Sequence, residues 1–405
     1  MRVEVLPLHV VFVVFQTGNR ANGGVESITQ VIERLKRVKP IVVTQLETPV
    51  NARWRAVGAD VKLWSVPSAA PERFHCGQFV RKITYPVDLV RTNYAMYRLV
   101  RSLNLKVVHC NDIRGLWHTG LGAQAAGATV VFNIRDVKQP DEQYDWKWRV
   151  AWLSNQLLVL SEEMRESLAD RLPIKTRDDK GQSCIDYIYS MVDLAQMRPV
   201  SQEERQALRT RLGIDQGKIA LGYIAAVNAK KAQLRFIEQA GPLLKKTIPQ
   251  ATLYCIGDFD PKRDAYARSC QRAVQRLRLD EIVSFIGYTT EVADWYKALD
   301  IVIIASRREG LARCMIESLA CGTPVVSFDV CSAREILERY NCGRVVPQGD
   351  YAEFVEQVAD LAGSPAVRRV SGTNGSRTAG QLFDPARIVK QYERLYCELA
   401  KAPRR

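Results

Sequence analysis

The sequence predicts an α/β protein with two consecutive domains, each built on a parallel sheet that is covered by helices on both faces. The chain has 405 residues, whereas single hydrophobic cores stop growing at roughly 250–300 residues. Short, continuously apolar segments alternate with longer segments of helical periodicity, as expected for parallel strands buried on both faces. This alternation occurs twice, before and after a polar segment at residues 191–215. We place the interdomain connection in that segment.

The first series begins with an apolar strand at residues 10–15, a glycine-containing loop at 18–24 and a helix at 26–38 with its apolar residues on one face. Further strands are predicted at 41–43, 107–110 and 130–134, with helices at 89–103 and 116–126. The first domain is therefore assigned to residues 1–198.

The second series has the same pattern and occupies residues 199–380. Strands are predicted at 219–224, 252–256, 283–286, 301–304 and 325–328, with helices at 236–246, 266–277, 292–298 and 311–320. A stretch rich in glycine and serine at 372–380 precedes a last predicted helix at 385–399. We expect this C-terminal segment, residues 381–405, to cross back toward the N-terminal domain.

The composition, 47% hydrophobic and 25% charged, is typical of a soluble globular protein and excludes disordered, collagen-like and membrane-spanning chains. A net charge of +14 indicates an anionic partner, either nucleic acid, an acidic membrane or a phosphorylated substrate. Half of the excess lies between Arg53 and Lys106, where ten basic and three acidic residues give +7. Because no nucleic-acid-binding module accompanies this stretch, nucleic acid is the least favoured partner.

The ten cysteines contain no CxxC pair, and the four histidines form no ligand set with them, so a structural zinc site is not expected. Cys110, Cys255 and Cys321 lie in or beside apolar segments, which is typical of proteins in a reducing compartment. We expect a cytoplasmic protein, and the basic stretch leaves open a peripheral position at the inner face of the cell membrane. The dinucleotide, P-loop and hydrolase glycine motifs do not occur in the sequence.

The most informative segment joins the predicted strand at 301–304 to the predicted helix at 311–320 through a loop that contains Glu309 and Gly310. The first amides of such a helix are free to bind phosphate, and a glycine lets the ligand approach closely. Glu317 follows Glu309 by eight positions, so both carboxylates can reach one ligand. For an isolated pair, a helix-capping Glu309 and a surface Glu317 would be favoured. The surrounding motif decides against that interpretation.

This segment resembles the signature of glycosyltransferase family 4, a group of retaining, nucleotide-sugar-dependent enzymes with the GT-B fold. The motif E-G-[FL]-x5-E-A-x-A-x-G-x-P-V-[VI] is matched at Glu309, Gly310, Leu311, Glu317, Ala320, Gly322, Pro324 and Val325, with Ser318 in place of an alanine. The resemblance covers nearly the whole chain through Gly23-Gly24-Val25-Glu26, Leu160-Ser161-Glu162, Val192-Asp193, Arg334-Glu335-Ile336 and residues 254–258, 285–288 and 346–350. It implies two doubly wound, Rossmann-like domains that face each other across a cleft.

The resemblance also implies the reaction. A sugar would pass from a UDP- or GDP-linked donor to a hydroxyl acceptor, which we expect to be a saccharide or lipid-linked precursor of a polysaccharide, lipopolysaccharide or glycolipid. No metal and no other cofactor is expected. Asp258-Phe259-Asp260 spells a D-x-D metal motif, but it occupies the place of an ordinary Gly-Asp turn of the family.

By the same resemblance, Glu317 would bind the donor ribose and Glu309 the transferred sugar, while Lys231 would bind phosphate and act in catalysis with Glu309. The remaining donor-binding positions would be Lys230, Gly287, Tyr288, Gly310, Leu311, Ala312 and Arg313. Gly23 and Gly24 resemble the acceptor-side glycine loop. Arg135 replaces a histidine found in many members and would contact the diphosphate or the acceptor; an Arg135 that only pairs with Asp136 is equally well supported.

Two features leave alternatives open. Ala225-Ala226 replaces a Gly-Arg pair whose arginine clamps the diphosphate, and a lysine does not replace a bidentate guanidinium freely. A scaffold that binds nucleotide sugar or a partner without turnover is therefore the alternative to an enzyme.

The predicted helix at 89–103 places three arginines on one face, with Val90, Tyr94, Tyr97 and Val100 available for the core or for a membrane interface. Core packing is the favoured interpretation of these apolar residues.

Overall fold

The computed structural model describes residues 7–16, 18, 22–69, 78–138, 146–169, 171–172 and 184–401. The chain forms two compact units: unit 1 comprises residues 1–191 and 385–405, and unit 2 comprises residues 192–384. The divisions therefore fall at 191/192 and 384/385, rather than at the expected 198/199 and 380/381. A backbone hydrogen bond of 3.1 Å from Val192 N to Phe383 O joins the two ends of unit 2.

Unit 1 contains a seven-stranded parallel sheet of order β3-β2-β1-β4-β5-β6-β7. Its strands are β1 Leu8–Val13, β2 Val38–Thr44, β3 Asp60–Leu63, β4 Val107–Cys110, β5 Thr129–Asn133, β6 Gln156–Val159 and β7 Ile185–Tyr187. Its helices are α1 Gly23–Arg34, α2 Pro49–Ala56, α3 Gln78–Ser102, α4 Ile113–Ala125, α5 Glu162–Ala169 and the C-terminal α14 Pro385–Lys401, with 3-10 turns at Pro67–Ala69 and Trp146–Leu153.

Unit 2 contains a six-stranded parallel sheet of order β10-β9-β8-β11-β12-β13. Its strands are β8 Ile219–Ile224, β9 Ala251–Ile256, β10 Val283–Gly287, β11 Ile301–Ile304, β12 Val325–Phe328 and β13 Gly343–Val346. Its helices are α6 Gln202–Leu212, α7 Gln233–Gln239, α8 Gly241–Thr247, α9 Ala265–Arg276, α10 Val292–Ala298, α11 Arg313–Ala320, α12 Tyr351–Gly363 and α13 Pro365–Leu382, with a π-helical turn at Arg334–Glu338.

Each sheet reverses its strand order once, between β1 and β4 in unit 1 and between β8 and β11 in unit 2. In doubly wound folds the ligand crevice lies outside the carboxyl ends of the strands at this point. Strand β11 at this point, Ile301–Ile304, is apolar and fully buried. The loops that follow these four strands are therefore the places to look for functional side chains.

One predicted helix was wrong, and two segments for which no element was predicted are helical. The helix predicted at 236–246 is divided into α7 and α8, because Pro242 lacks an amide and begins a new helix. The glycine-rich stretch at 372–380 is helical and lies within α13. Its glycines allow close packing, since a Cβ on Gly372 would lie 2.1 Å from Gly322 O. The polar connection contains α6, which Ser201 caps by accepting a hydrogen bond from Glu204 N.

A buried ion pair fixes α6 in unit 2. Asp300 precedes β11 and is buried; it pairs with Arg209 and accepts a 2.8 Å hydrogen bond from Arg205 Nη2. Its second oxygen also accepts from Ala220 N at 2.8 Å. Because removing one partner of a buried pair leaves an uncompensated charge, this contact holds the connecting segment to the sheet of unit 2.

The hydrophobic core of unit 1 includes the C-terminal helix α14, whose Ile388, Val389, Tyr392 and Tyr396 are buried against the sheet. Glu393 of the same helix accepts 2.6 Å hydrogen bonds from the backbone amides of Lys36 and Arg37. Among the helices that the structure describes, none is both long enough and apolar enough to cross a bilayer.

Candidate functional site

The candidate site of unit 2 is formed by the loops that follow β8 and β11. These strands are adjacent and parallel, so both loops emerge at the same edge of the sheet. The amide of Arg307 donates a 3.0 Å hydrogen bond to the carbonyl of Lys230, which joins the two loops. The structure thus brings the predicted lysines and the Glu309-Gly310 segment together.

Lys231 and Glu309 form an ion pair and hydrogen bond between Nζ and Oε1. Glu309 is only 6% exposed, so its carboxylate is largely removed from water and depends on this partner. The Lys231 amide donates to Asn228 Oδ1 at 3.1 Å, and its carbonyl accepts from the Tyr223 hydroxyl. Because burial raises the pKa of Tyr223 well above its ordinary value, that hydroxyl stays protonated and holds the lysine backbone in place.

Glu317 is held by two side chains. Tyr296 donates a 3.0 Å hydrogen bond to Oε2, and Arg313 donates a 2.6 Å hydrogen bond to Oε1. Burial, with a smaller effect of the Glu317 charge, raises the pKa of Tyr296 well above its ordinary value. Each carboxylate oxygen keeps a second lone pair that can accept from a ligand hydroxyl. Glu317 is therefore an acceptor held in place by two donors rather than an ordinary surface carboxylate.

Tyr296 was not predicted from the sequence, and Arg313 was predicted as a donor-binding position without its contact to Glu317. The four-residue spacing from Arg313 to Glu317 puts both on one face of α11, and this signal could have revealed the pair. Tyr296 lies 21 residues before Glu317 in the chain, and no local pattern links the two.

The first turn of α11 begins after Ala312, which provides no side-chain capping bond. The uncapped amides and the positive end of the helix dipole favour an anion at this place. Gly310 is fixed by a 2.7 Å hydrogen bond from Ser332 Oγ to its carbonyl. The helix-capping alternative for Glu309 is wrong, because Ala312 is the capping residue and Glu309 pairs with Lys231.

Other predicted residues lie at the same edge but farther along the sheet. Gly287, with a φ of 82°, ends β10, and Tyr288 after it is exposed. Strand β9 separates them from β8.

In the D-x-D segment, Asp260 Oδ1 accepts hydrogen bonds from the amides of Lys262 and Arg263 at 3.1 and 3.3 Å, as in a turn. Within the described ranges, no group of three or more His, Cys, Asp or Glu is arranged to hold a metal ion.

The corresponding edge of unit 1 carries Arg135, which follows β5. Arg135 Nη1 donates to Asn111 Oδ1 at 3.4 Å, and Asn111 Nδ2 contacts Gly24 O at 3.5 Å. A Cβ on Gly24 would lie 3.5 Å from both Cδ and Nε of Arg135, so the arginine lies directly over this glycine. The structure thus brings two further predicted residues together.

The side chain of Asn22 binds the backbone amides of the predicted glycine loop. Its Oδ1 accepts hydrogen bonds from Gly24 N at 3.0 Å and Val25 N at 2.9 Å, capping α1. The Gly24 amide, which was expected to hold phosphate or the acceptor, is therefore engaged by Asn22. Gly23 begins α1, and its role in acceptor binding stays a prediction.

A buried polar cluster lies behind Arg135. His109 Nδ1 contacts the Tyr396 hydroxyl at 3.0 Å, and Nε2 lies 3.5 Å from Asn133 Nδ2. Burial, aided by the charge of Arg135, lowers the pKa of His109 to about 3, so the ring is neutral. Asn133 Oδ1 is buried without a hydrogen-bond partner as placed. Exchanging the amide O and N lets Nε2–H donate to Oδ1 while Tyr396 donates to Nδ1.

The chain resembles known proteins in sequence. Residues 218–364 match the family described as "Glycosyl transferases group 1". A putative glycosyltransferase EpsD of Bacillus subtilis (strain 168) is 30% identical over 205 residues, which cover 51% of this chain and 52% of that protein. A D-inositol 3-phosphate glycosyltransferase of Kribbella flavida is 24% identical over 228 residues, 53% of each chain. The chain thus spans about half the length of the curated relatives it matches.

Solved structures resemble nearly the whole chain. Anabaena Alr3699/HepE in complex with UDP has a TM-score of 0.77 at 17% identity and covers 96% of this chain and 100% of its own. A glycosyltransferase from Rickettsia africae ESF-5 has a TM-score of 0.79 at 14% identity, covering 98% and 100%. The solved structures confirm the predicted two-domain α/β fold, and the sequence matches show that residues 218–364 resemble glycosyltransferases. Sugar transfer by the whole chain stays a proposal. Membership of family 4 and the retaining mechanism stay predictions.

Proposed function

We propose that this protein transfers a sugar, with retention of configuration, from a nucleotide-sugar donor to a hydroxyl acceptor. The observation that carries the proposal is the Lys231–Glu309 pair beside the uncapped start of α11, with Glu317 fixed one turn into the same helix. A nucleotide sugar has hydroxyls and a diphosphate close together. At this edge of unit 2, carboxylates can accept hydrogen bonds from the hydroxyls, and Lys231 and the start of α11 offer positive charge to the diphosphate.

The donor would be bound by groups that are already held in place. Glu317 would accept ribose hydroxyls on its free lone pairs, and Glu309 would accept hydroxyls of the transferred sugar. The amides of Gly310, Leu311, Ala312 and Arg313 would hold the diphosphate. The Anabaena relative was solved with UDP and with UDP-glucose, which favours a UDP-linked donor here.

Lys231 would stabilise the departing diphosphate. Its ammonium is a cation with three N–H donors that pairs with Glu309, and it would donate to phosphate oxygens of the bound donor. In the proposed reaction the bond from the sugar to the diphosphate breaks, the acceptor oxygen bonds to the same carbon, and the diphosphate takes the acceptor proton. The protein then acts by charge and positioning, and no side-chain nucleophile is required.

The acceptor is assigned to unit 1, where Arg135 lies over Gly24. We propose a saccharide or lipid-linked precursor and a cytoplasmic location. Similar folds support this choice, among them WaaG, a glycosyltransferase involved in lipopolysaccharide biosynthesis, with a TM-score of 0.68 at 14% identity and coverage of 96% of this chain.

A scaffold without turnover is the second candidate. Ala225-Ala226 follows β8, and a Cβ on Gly257 would lie 2.1 Å from Ala225 O, so backbone is packed tightly where an arginine would be expected. Lys230 and Arg307 lie on the two loops joined by the 3.0 Å hydrogen bond. These two residues are candidates to supply the missing charge.

Ligand binding and nucleotide release test both candidates. The melting temperature would be measured with UDP, GDP, ADP and TDP and their sugar conjugates, followed by release of nucleoside diphosphate in the presence of saccharide acceptors. Glu317→Gln should raise the donor KM about tenfold, since hydrogen bonds to charged groups contribute about 1.5–3 kcal/mol. The exposed Glu281→Gln is the matched control. Binding without release would favour the scaffold, and a folded protein that binds no nucleotide would overturn both.

A further inference from the structure

Helix α3 has one buried face. Asp88, Thr92, Met96 and Val100 recur every four residues and are all buried. The helix packs on α4 with little space between backbones, because a Cβ on Gly122 would lie 1.9 Å from Asn93 O. Asn93 Oδ1 also accepts a 2.9 Å hydrogen bond from Gly122 N. These contacts fix which face of α3 points outward.

The outward face is apolar in its first half. Val87, Val90 and Tyr94 are 65%, 73% and 61% exposed, and their spacing places them along one line on the helix surface. Of the apolar residues expected in the core, Val100 is buried, but Val90 and Tyr94 are not. The favoured interpretation of core packing is therefore wrong for these two residues.

Arg98 and Arg101 continue the same line and are exposed. Neither forms an ion pair with a residue that the structure describes. Asp88 is the only acidic residue between positions 84 and 106; it is buried on the opposite face, where it accepts from Ser68 N at 2.9 Å and Arg91 Nη2 at 3.1 Å. The outward face thus combines exposed apolar side chains with uncompensated positive charge.

We propose that this α3 stripe, formed by Val87, Val90, Tyr94, Arg98 and Arg101, docks on an anionic lipid bilayer. Val87, Val90 and Tyr94 would enter the boundary between headgroups and acyl chains, and the two arginines would bind lipid phosphates. Tyrosine suits this boundary, since its ring is apolar and its hydroxyl is polar. The inference goes beyond the proposed function, because lipid binding does not depend on sugar transfer.

Other partners fit the stripe less well. A twofold dimer centred near the arginines would bring Arg98 and Arg101 against their own counterparts, and one centred near Tyr94 would bring them against the apolar residues of the partner stripe; both arrangements are unfavourable for the charges. Nucleic acid would pair with the arginines but would leave Val87 and Val90 in contact with a charged phosphate backbone. A bilayer satisfies both halves of the stripe.

Vesicle sedimentation with the full chain tests the proposal. Vesicles of phosphatidylcholine with one third phosphatidylglycerol should bind the protein at about 0.1 M salt, and pure phosphatidylcholine or about 0.5 M salt should weaken binding at least tenfold. Arg98→Gln with Arg101→Gln should weaken binding by roughly 20-fold, from about fivefold per charge. Val90→Ser with Tyr94→Ser should weaken it about tenfold.

Two control substitutions make the same kinds of chemical change at exposed positions outside the α3 stripe. Val370→Ser replaces a valine of α13 that is 57% exposed, and Arg272→Gln replaces an exposed arginine of α9; both should bind vesicles like the wild type. Melting temperatures would show that every variant is folded. Absence of vesicle binding by the wild type, or equal binding by the stripe variants, would overturn the proposal. A dimer that the stripe substitutions dissociate, without vesicle binding, would overturn it in favour of self-association.

Discussion

The carboxyl edges of the two sheets are built in different ways. In unit 2, Glu309 and Glu317 belong to one loop and helix, and Lys231 lies on the neighbouring loop. In unit 1, the edge is assembled from Asn22 to Gly24, Asn111, Arg135 and the buried cluster that includes Tyr396. One edge is local in sequence, and the other depends on residues from almost the full length of unit 1.

The two edges also differ in charge. The candidate site of unit 2 contains the ion pairs Lys231–Glu309 and Arg313–Glu317. The edge of unit 1 places Arg135 in front of a neutral His109, and Arg114 after β4 pairs with Asp112 at 2.8 Å. All four histidines of the chain precede residue 119, and unit 2 contains none. In unit 2 the carboxylates themselves are held by cations, whereas in unit 1 Arg135 has a neutral histidine behind it.

The largest effect is expected for Lys231→Met in unit 2. Loss of the cation should lower kcat about 100- to 1000-fold, in line with the roughly 3–4 kcal/mol associated with one group that stabilises developing charge. The measurement is nucleotide release at saturating donor. Lys246→Met, an exposed lysine of α8, is the matched control and should leave kcat unchanged.

The same substitution also affects stability, since it leaves Glu309 buried without a cation. The double variant Lys231→Met with Glu309→Gln should regain much of the lost unfolding free energy without regaining kcat, because a neutral amide is less costly to bury than an unpaired charge. A single variant with kcat within tenfold of the wild type would contradict the role of Lys231.

A smaller effect is expected for the pH dependence of stability, which should differ between the two units. His109 has a pKa of about 3 when folded because burial and the Arg135 charge disfavour its proton, while an unfolded histidine titrates near 6.5. Between these values the unfolded chain binds more protons, so the histidine contribution to stability is complete above about 6.5 and is lost as the pH falls. At about pH 5 this loss is roughly 2 kcal/mol. Burial also lowers the pKa of His118 to about 4, which acts in the same direction.

Hydrogen exchange of strand peptides measures this difference. Protection of β4 in unit 1 should fall from pH 7 to pH 5 by more than protection of β11 in unit 2, after correction for intrinsic exchange rates. His109→Phe, which keeps an aromatic ring beside Phe12, should reduce the pH dependence of β4 even if its protection is lower at both pH values. Equal losses in β4 and β11 would show that the histidines do not cause the difference.

Sequence reasoning succeeded where the determinants are local. Alternating apolar strands and amphipathic helices predicted both sheets, and the Glu309 to Val325 motif led directly to the edge of unit 2. Strands β3, β6, β7 and β13 were not predicted; all four are short, and β3 and β7 are only partly buried. Their place in the sheet comes from pairing with neighbours rather than from their own pattern.

The missed functional residues depend on long-range contacts. Tyr296 reaches Glu317 from α10, and Tyr396 reaches His109 across 287 positions of sequence. On α3, apolar residues at helical spacing could not reveal which side meets α4; the close approach of Gly122 to Asn93 decides it. Periodicity identifies a helix and its faces, but only tertiary packing determines which face is buried.

The smallest effect is expected for Gly24→Ala in unit 1. The new Cβ would lie 3.3 Å from Asn22 Oδ1 and 3.5 Å from Arg135 Cδ and Nε, so both side chains must shift slightly. Alanine is favoured over glycine in a helix by about 0.5–1 kcal/mol, which offsets this crowding. Unfolding free energy should therefore change little.

The displaced Arg135 should raise the acceptor KM about threefold, on the order of 0.6 kcal/mol for an off-rotamer side chain, and leave the donor KM unchanged. Gly363→Ala, at a position where a Cβ meets nothing within 4 Å, is the control and should affect neither KM. Steady-state kinetics with each substrate varied in turn makes the measurement. A change in donor KM alone would place Arg135 with the diphosphate rather than the acceptor, and the division of roles between the two edges would then have to be redrawn.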